Sequence, residues 1–210
     1  MNADIQARLP EILKRHAAWL ENRLEGTRAN LRDANLAGAD LSAANLRDAN
    51  LQGADLQGAN LTGANLRAAN LARANLSNAY LQGTYLVRAN LSNADLQGTY
   101  LARANLAGAN LRGANLAGAY LVSVITDRAT RVLSIAPIGS RADSLVAVLQ
   151  ARSGANYERI QTGCFVGSIE EFAKAVDGAY PDGRHGREYR AAIALLMEIR
   201  ADVFGSTVPQ

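Results

Sequence analysis

Leucine stands at every fifth position from Leu31 to Leu121 without exception, nineteen times in succession. Two residues before each leucine is an alanine, with Thr84 and Thr99 the only replacements, and Asn, Asp or Tyr fills the place between. The unit is therefore A-(N/D/Y)-L-x-x. A period of five fits neither the 3.6 residues of an α-helical turn nor the plain alternation of a flat strand. Self-similarity at a fixed short period marks a stacked repeat, in which each unit packs only on its neighbours.

This A(N/D)LXX pattern, carried by residues 29–122, resembles the pentapeptide-repeat family. The resemblance implies a mainly β fold, a right-handed quadrilateral parallel β-helix in which four units make one square turn and both the leucine and the alanine point inward. Elementary packing agrees, because large and small apolar groups alternating along a wall fill a narrow interior without voids. Neighbouring coils pair backbone to backbone at about 4.8 Å, so nearly five turns make a rod roughly 23 Å long.

Aligning the sequence every twenty residues shows which outward side chains share a column. Tyr80, Tyr100 and Tyr120 fall in one, with Tyr85 one face along; Arg47 and Arg67 share another, and Arg28 and Arg88 lie beside them, separated by Asp48 and Ala68. Two readings of the tyrosines stay open, a ring ladder that covers the wall and an aromatic stripe that meets a partner. The arginines read as a solvated mixed-charge face or as part of the same contact surface. The candidate partner surface is thus Tyr80, Tyr85, Tyr100, Tyr120, Arg47 and Arg67. Segment 76–90, LSNAYLQGTYLVRAN, is nearly copied at 91–105 as LSNADLQGTYLARAN, a fifteen-residue duplication that moves every copied feature to another face. Part of the surface pattern therefore records growth of the gene. Gly38, Gly58, Gly98 and Gly118 form a further column, broken by Asn78, and the Asn columns are expected to hydrogen-bond with one another.

A solenoid exposes an unpaired backbone edge at each end, and both flanks read as covers. The expected division is 1–27, an N-terminal helical cap; 28–122, the β-helix; and 123–210, a small α+β module. Residues 10–24 are helical by pattern, with Pro10 in the first turn and Ile12, Leu13, Leu20 and Leu24 on one face beside Trp19. His16 shares that spacing and reads as a satisfied boundary residue. Beyond Leu121 the runs 131–138, 144–151 and 156–165 predict an antiparallel sheet. Ser168 and Glu171 form a capping box opening a helix to about Val176, closed near Gly178, and a longer helix near 187–203 carries Tyr189, Ile193, Leu196 and Met197 on one side. The expected order is β-β-β-α-α. Through API-GSR (136–141), TGCF-GSIEEF (162–172) and EYRAAI (188–193), this segment is similar to a small module that follows pentapeptide repeats in some phage and bacterial proteins, which implies a phage or mobile-element origin.

The chain contains no G-x-S-x-G elbow, phosphate loop, H-E-x-x-H or paired cysteines. The one constellation to weigh is Cys164 with His185 and Asp182, against which stands the usual role of a cysteine in an apolar strand as core. No cofactor and no metal is expected. One cysteine precludes an internal disulfide and favours a reducing, cytoplasmic setting; the N-terminus lacks the features of a signal peptide, and no apolar run approaches a membrane span.

The net charge of +3 lies wholly in the repeats, with eight arginines against five aspartates in 28–122 and equal numbers of each sign in the flanks. The reading is a non-enzymatic binding or scaffold protein that presents a rigid surface to a protein partner, acting as an inhibitor of a host or defence protein. The alternatives are a DNA-mimic modulator of a topoisomerase such as gyrase, disfavoured by the positive wall, and an enzyme using Cys164 and His185. A membrane partner is not expected, nucleic acid is disfavoured, and the C-terminal module offers a route to a homodimer.

Overall fold

The computed structural model describes residues 3–121, 124, 126, 130–138, 143–150, 156–162, 165–181 and 183–204. It divides into two compact units, Met1–Ile125 and Thr126–Gln210.

In the first unit the repeats wind with a period of twenty residues. Parallel bridges join each middle residue to its counterpart one coil on, from Asn30 with Asn50 through Tyr100 with Tyr120. Between bridges the chain turns after every leucine, and the amide of the following alanine donates back to the leucine carbonyl, as Ala64 does to Leu61 at 3.0 Å. The walls are thus single bridges alternating with β-turns rather than continuous strands. Positive φ recurs at the last residue of every unit from Asp33 to Gly118, the backbone of a type II turn at its third residue. Glycine is suited to this angle, and at Gly58, with φ 63°, an added Cβ would meet nothing within 4 Å, so only the backbone angle selects against a side chain there. Ala43, Ala68, Arg73 and Arg103 occupy the same angle, so the corner is set by the coil and not by glycine alone. That is why Asn78 interrupts the glycine column without interrupting the turn.

Leu31 to Leu116 and most of the alanines between them are fully enclosed. Thr84 and Thr99 replace alanine inside the wall at no polar cost: Thr84 Oγ1 donates to the Leu61 carbonyl at 2.8 Å and Thr99 Oγ1 to that of Leu96.

The N-terminal helix, α1 (Ala3–Leu20), lies earlier than the sequence predicts. Pro10 sits inside it rather than in its first turn. The end is a Schellman motif: Arg23 N–H donates to Ala18 O at 2.9 Å, Asn22 N–H to Trp19 O at 3.0 Å, and Asn22 takes φ 56°. Leu24, expected on the buried face, is therefore outside the helix and fully exposed. Gly26 then passes so close to the helix that a Cβ would come within 2.2 Å of the Trp19 nitrogen. The side chains of Leu9, His16 and Ala18 are buried, and Gln6 Nε2 reaches the Ala37 carbonyl of the first coil.

The second unit contains β1 (Thr130–Ile138), β2 (Asp143–Gln150), β3 (Tyr157–Gln161), β4 (Val166–Gly167), α2 (Ile169–Ala179) and α3 (Arg184–Phe204). The sheet is antiparallel in the order β1-β2-β3-β4. The short β4, absent from the sequence reading, makes the order β-β-β-β-α-α. Leu145, Ala147, Leu149 and Ile160 pack against Ile169, Phe172, Val176, Ile193 and Leu196. Both halves of the capping box form, Glu171 N–H donating to Ser168 Oγ at 3.1 Å and Ser168 N–H to Glu171 Oε2 at 2.8 Å. Gly178 does not end α2, which runs to Ala179, and α3 begins at Arg184 instead of near 187. Met197, expected on the inner side of α3, is exposed.

Candidate functional site

What the wall shows to solvent follows from the middle residue of each unit. Where that residue is Asn or Asp, its side-chain oxygen accepts from the amide two residues on, as Asn70 does from Ala72 N–H at 3.2 Å. The amide NH2 then donates to the equivalent side chain one coil earlier. On one face this makes a ladder from Asn30 through Asn50, Asn70 and Asn90 to Asn110, at 3.1 to 3.5 Å per step. Asp40 enters the same scheme. The Ser42 amide and hydroxyl and then Asn60 Nδ2 hold its carboxyl below the usual carboxylate range.

On the face of Asp40 and Asn60 the amide ladder gives way to aromatic rings. Tyr80 and Tyr100 stack at 5.1 Å between centroids and 6° between planes, Tyr100 and Tyr120 at 4.7 Å and 1°. The backbone beneath is unchanged, with Tyr80 N–H donating to Ala59 O and Tyr120 N–H to Thr99 O. The rings cover one another's faces, so edges and hydroxyls form the outward stripe; Tyr80 and Tyr120 remain 45% and 54% exposed. On the next face the guanidinium of Arg67 lies 5.1 Å over the ring of Tyr85. Arg47, one coil before Arg67, instead pairs with Asp48 at 3.1 Å, while Arg28 Nε donates to the Asp48 carbonyl. Three tyrosines are thus brought into one stripe, Tyr85 and Arg67 form a separate pair, and Arg47 is engaged with a neighbouring acid.

Cys164 and Asp182 lie outside the described residues. His185 is exposed on α3 with Nδ1 3.4 Å from Glu188 Oε2. A charged group that the sequence reading did not single out joins β3, α2 and α3: Arg200 lies 2.7 Å from Glu158 Oε2 and also contacts Glu170, while Ile169 N–H donates to Glu158 Oε1 at 3.1 Å. Burial pushes the Glu158 carboxyl up, against the pull of the Ile169 amide and Arg200. Glu170, more exposed, is held down by its own backbone amide in the first turn of α2 and by Arg200. Among the described residues no group of three or more His, Cys, Asp or Glu is placed to hold a metal ion, and no helix is long and apolar enough to cross a membrane.

The sequence profile of pentapeptide repeats matches eight copies, over residues 27–63, 59–98 and 85–125. The chain belongs to the pentapeptide-repeat family. The twenty-residue coil of the first unit is accordingly that family's right-handed β-helix. Among solved pentapeptide-repeat proteins, Rfr23 from the cyanobacterium Cyanothece 51142 is 48% identical over 42% of this chain and 60% of its own, with a TM-score of 0.42. HetL, involved in heterocyst differentiation regulation in Nostoc sp. strain PCC 7120, is 36% identical over 45% of this chain and 52% of its own, with a TM-score of 0.38. Another pentapeptide-repeat protein from Nostoc PCC 7120 is 31% identical over 56% of this chain and 84% of its own, with a TM-score of 0.28. The chain spans little more than half the length of the first two. Comparison with curated proteins finds no match.

Proposed function

We propose that this pentapeptide-repeat chain is a non-enzymatic binding or scaffold protein, and that its contact surface centres on Tyr80, Tyr100 and Tyr120, with Tyr85, Arg67 and Arg47 beside them. The supporting observation is the stacked, half-exposed tyrosine stripe on a wall whose backbone is fixed by the coil. Rings held in place before binding lose little freedom on contact, and tyrosine brings both apolar area and a hydroxyl to an interface. In this reading residues 1–27, 28–122 and 123–210 divide the work into cap, rod and accessory module, and the partner is a cellular protein that the rod occupies. Mimicry of duplex DNA toward a topoisomerase would require a negative wall, whereas the repeats carry three more arginines than aspartates.

The test is recovery of a protein from lysate of the host by the full chain and by the Tyr80→Ser/Tyr100→Ser/Tyr120→Ser variant. A partner retained by the first and lost by the second supports the assignment, provided both melt at comparable temperatures. Equal recovery moves the contact off the stripe. A second contact, self-association through the C-terminal unit, has the exposed Val166, Leu195 and Met197 in its favour. Sedimentation of the full chain at micromolar concentration tests it, a monomer throughout counting against it.

A further inference from the structure

Among the described residues, His16 is the only ionisable side chain with no solvent exposure. Its position is specific. The backbone N–H of Ala29, at the entry to the first coil, donates to His16 Nδ1 at 3.1 Å, which requires a lone pair on Nδ1 and puts the single proton of the neutral ring on Nε2. Nε2 is itself buried with no hydrogen-bond partner among the described residues. The ring stacks on Trp19 of the same helix, 5.5 Å between centroids and 12° between planes. We propose that His16 is a proton-operated latch for α1: the neutral imidazole holds the helix on the first coil, and a second proton releases it.

A second proton can go only to Nδ1, where it would set one N–H against another. It would also place a cation where water does not reach. The groups acting on the ring come from both sides. From the first coils, the Arg47 backbone and the Asp48 carboxylate favour the proton and Arg28 opposes it, with Asp48 already paired to Arg47. From α1 itself comes the stacked ring of Trp19. The neighbouring Arg15 ties the helix to the segment that enters the first coil, its carbonyl accepting from Thr27 N–H at 3.0 Å. Burial outweighs the favourable influences and holds the ring below its ordinary value of 6.5. Because the folded value is the lower one, docking has its full strength above about 6.5. It weakens as pH falls from there to the depressed folded value, by at most about tenfold in the docking equilibrium per pH unit for one proton.

The molecule carries its own reporter, since Trp19 is the only tryptophan in the chain. Full-length protein is taken from pH 7.5 to 5 while Trp19 emission and hydrogen exchange of the α1 amides, corrected for intrinsic rates, are followed. The comparison variants are His16→Asn, whose Oδ1 can accept from Ala29 N–H but cannot titrate, and His185→Asn, which removes the other histidine. Wild type and His185→Asn should lose α1 protection below about pH 6.5, with far-UV circular dichroism of the coils unchanged, and His16→Asn should show no such change. Undiminished α1 protection in the wild type down to pH 5 overturns the proposal, as does an unaltered pH response in His16→Asn. Should His16→Asn not fold, His16→Gln takes its place, and the wild-type exchange titration alone still decides whether release occurs.

Discussion

Replacing Leu71 by alanine tests whether the interior is the tightly walled column described above. Leu71 is fully buried and lies between Leu51 and Leu91 of adjacent coils, which are also fully buried. Three carbons leave the core, an intrinsic loss of about 2.4 kcal/mol at ~0.8 kcal/mol each. The pocket has little means of collapsing. Its walls are pinned by amide bonds between coils, Leu51 N–H to Asn70 O and Leu71 N–H to Asn90 O, both at 2.7 Å. The residual cavity then raises the cost to about 4 kcal/mol, in the upper part of the range of about 2.7 to 5.0 kcal/mol for Leu→Ala in well-packed cores. Leu24, chemically identical but fully exposed, should cost less than about 0.5 kcal/mol on the same change. Urea unfolding followed by Trp19 fluorescence reads the first unit directly. A cost under about 1 kcal/mol for Leu71→Ala, or equal costs at the two sites, would refute the reasoning.

The turn angles make an inverted prediction. Ala43→Gly, at φ 54°, should stabilise the first unit by roughly 0.5 to 1 kcal/mol and Gly58→Ala, at φ 63°, should destabilise it by about 1 kcal/mol, both seen in the urea midpoint. Asn70→Ala removes the acceptor of Asn90 Nδ2 and Ala72 N–H together with the donor to Asn50, and should cost about 1 to 3 kcal/mol. Gln52→Ala on the adjacent turn serves as its near-neutral control. In the second unit, Arg200→Met leaves Glu158 and Glu170 facing each other. After allowance for solvent screening the loss should be about 1 kcal/mol near pH 7, shrinking as pH falls and the carboxyls protonate, measured by thermal melts at pH 7 and pH 4.

Much of the first unit was legible because its determinants are strictly periodic. The leucine and alanine positions alone specify what faces inward, and the twenty-residue alignment placed Tyr80, Tyr100 and Tyr120 in one stack. The flanks depend on single residues whose role is set by the backbone around them. Asn22 ends α1 through a left-handed residue, a signal available in the sequence but outweighed by the apolar spacing that extended the helix to Leu24. Gly178 read as the point near which α2 closes, yet the helix passes through it to Ala179 and is capped by Tyr180, whose N–H donates to Val176 O. The two-residue β4 is too short to carry an alternation pattern and exists through pairing with β3. The environment of His16 and the Glu158, Glu170 and Arg200 group come from contacts between residues 13 to 42 positions apart, for which no local pattern exists.

The period of the coil itself can be measured by cross-linking. In a Cys164→Ser background, Thr62→Cys/Gln82→Cys places thiols twenty residues apart where the native side chains already meet at 3.5 Å. Adjacent coils at about 4.8 Å lie within disulfide reach. Thr62→Cys/Ser92→Cys, thirty residues apart, puts them on opposite walls. Rapid oxidation of the first pair with no intramolecular bond in the second is the expected result. The reverse, or equal cross-linking of both, would contradict a coil that closes every four units.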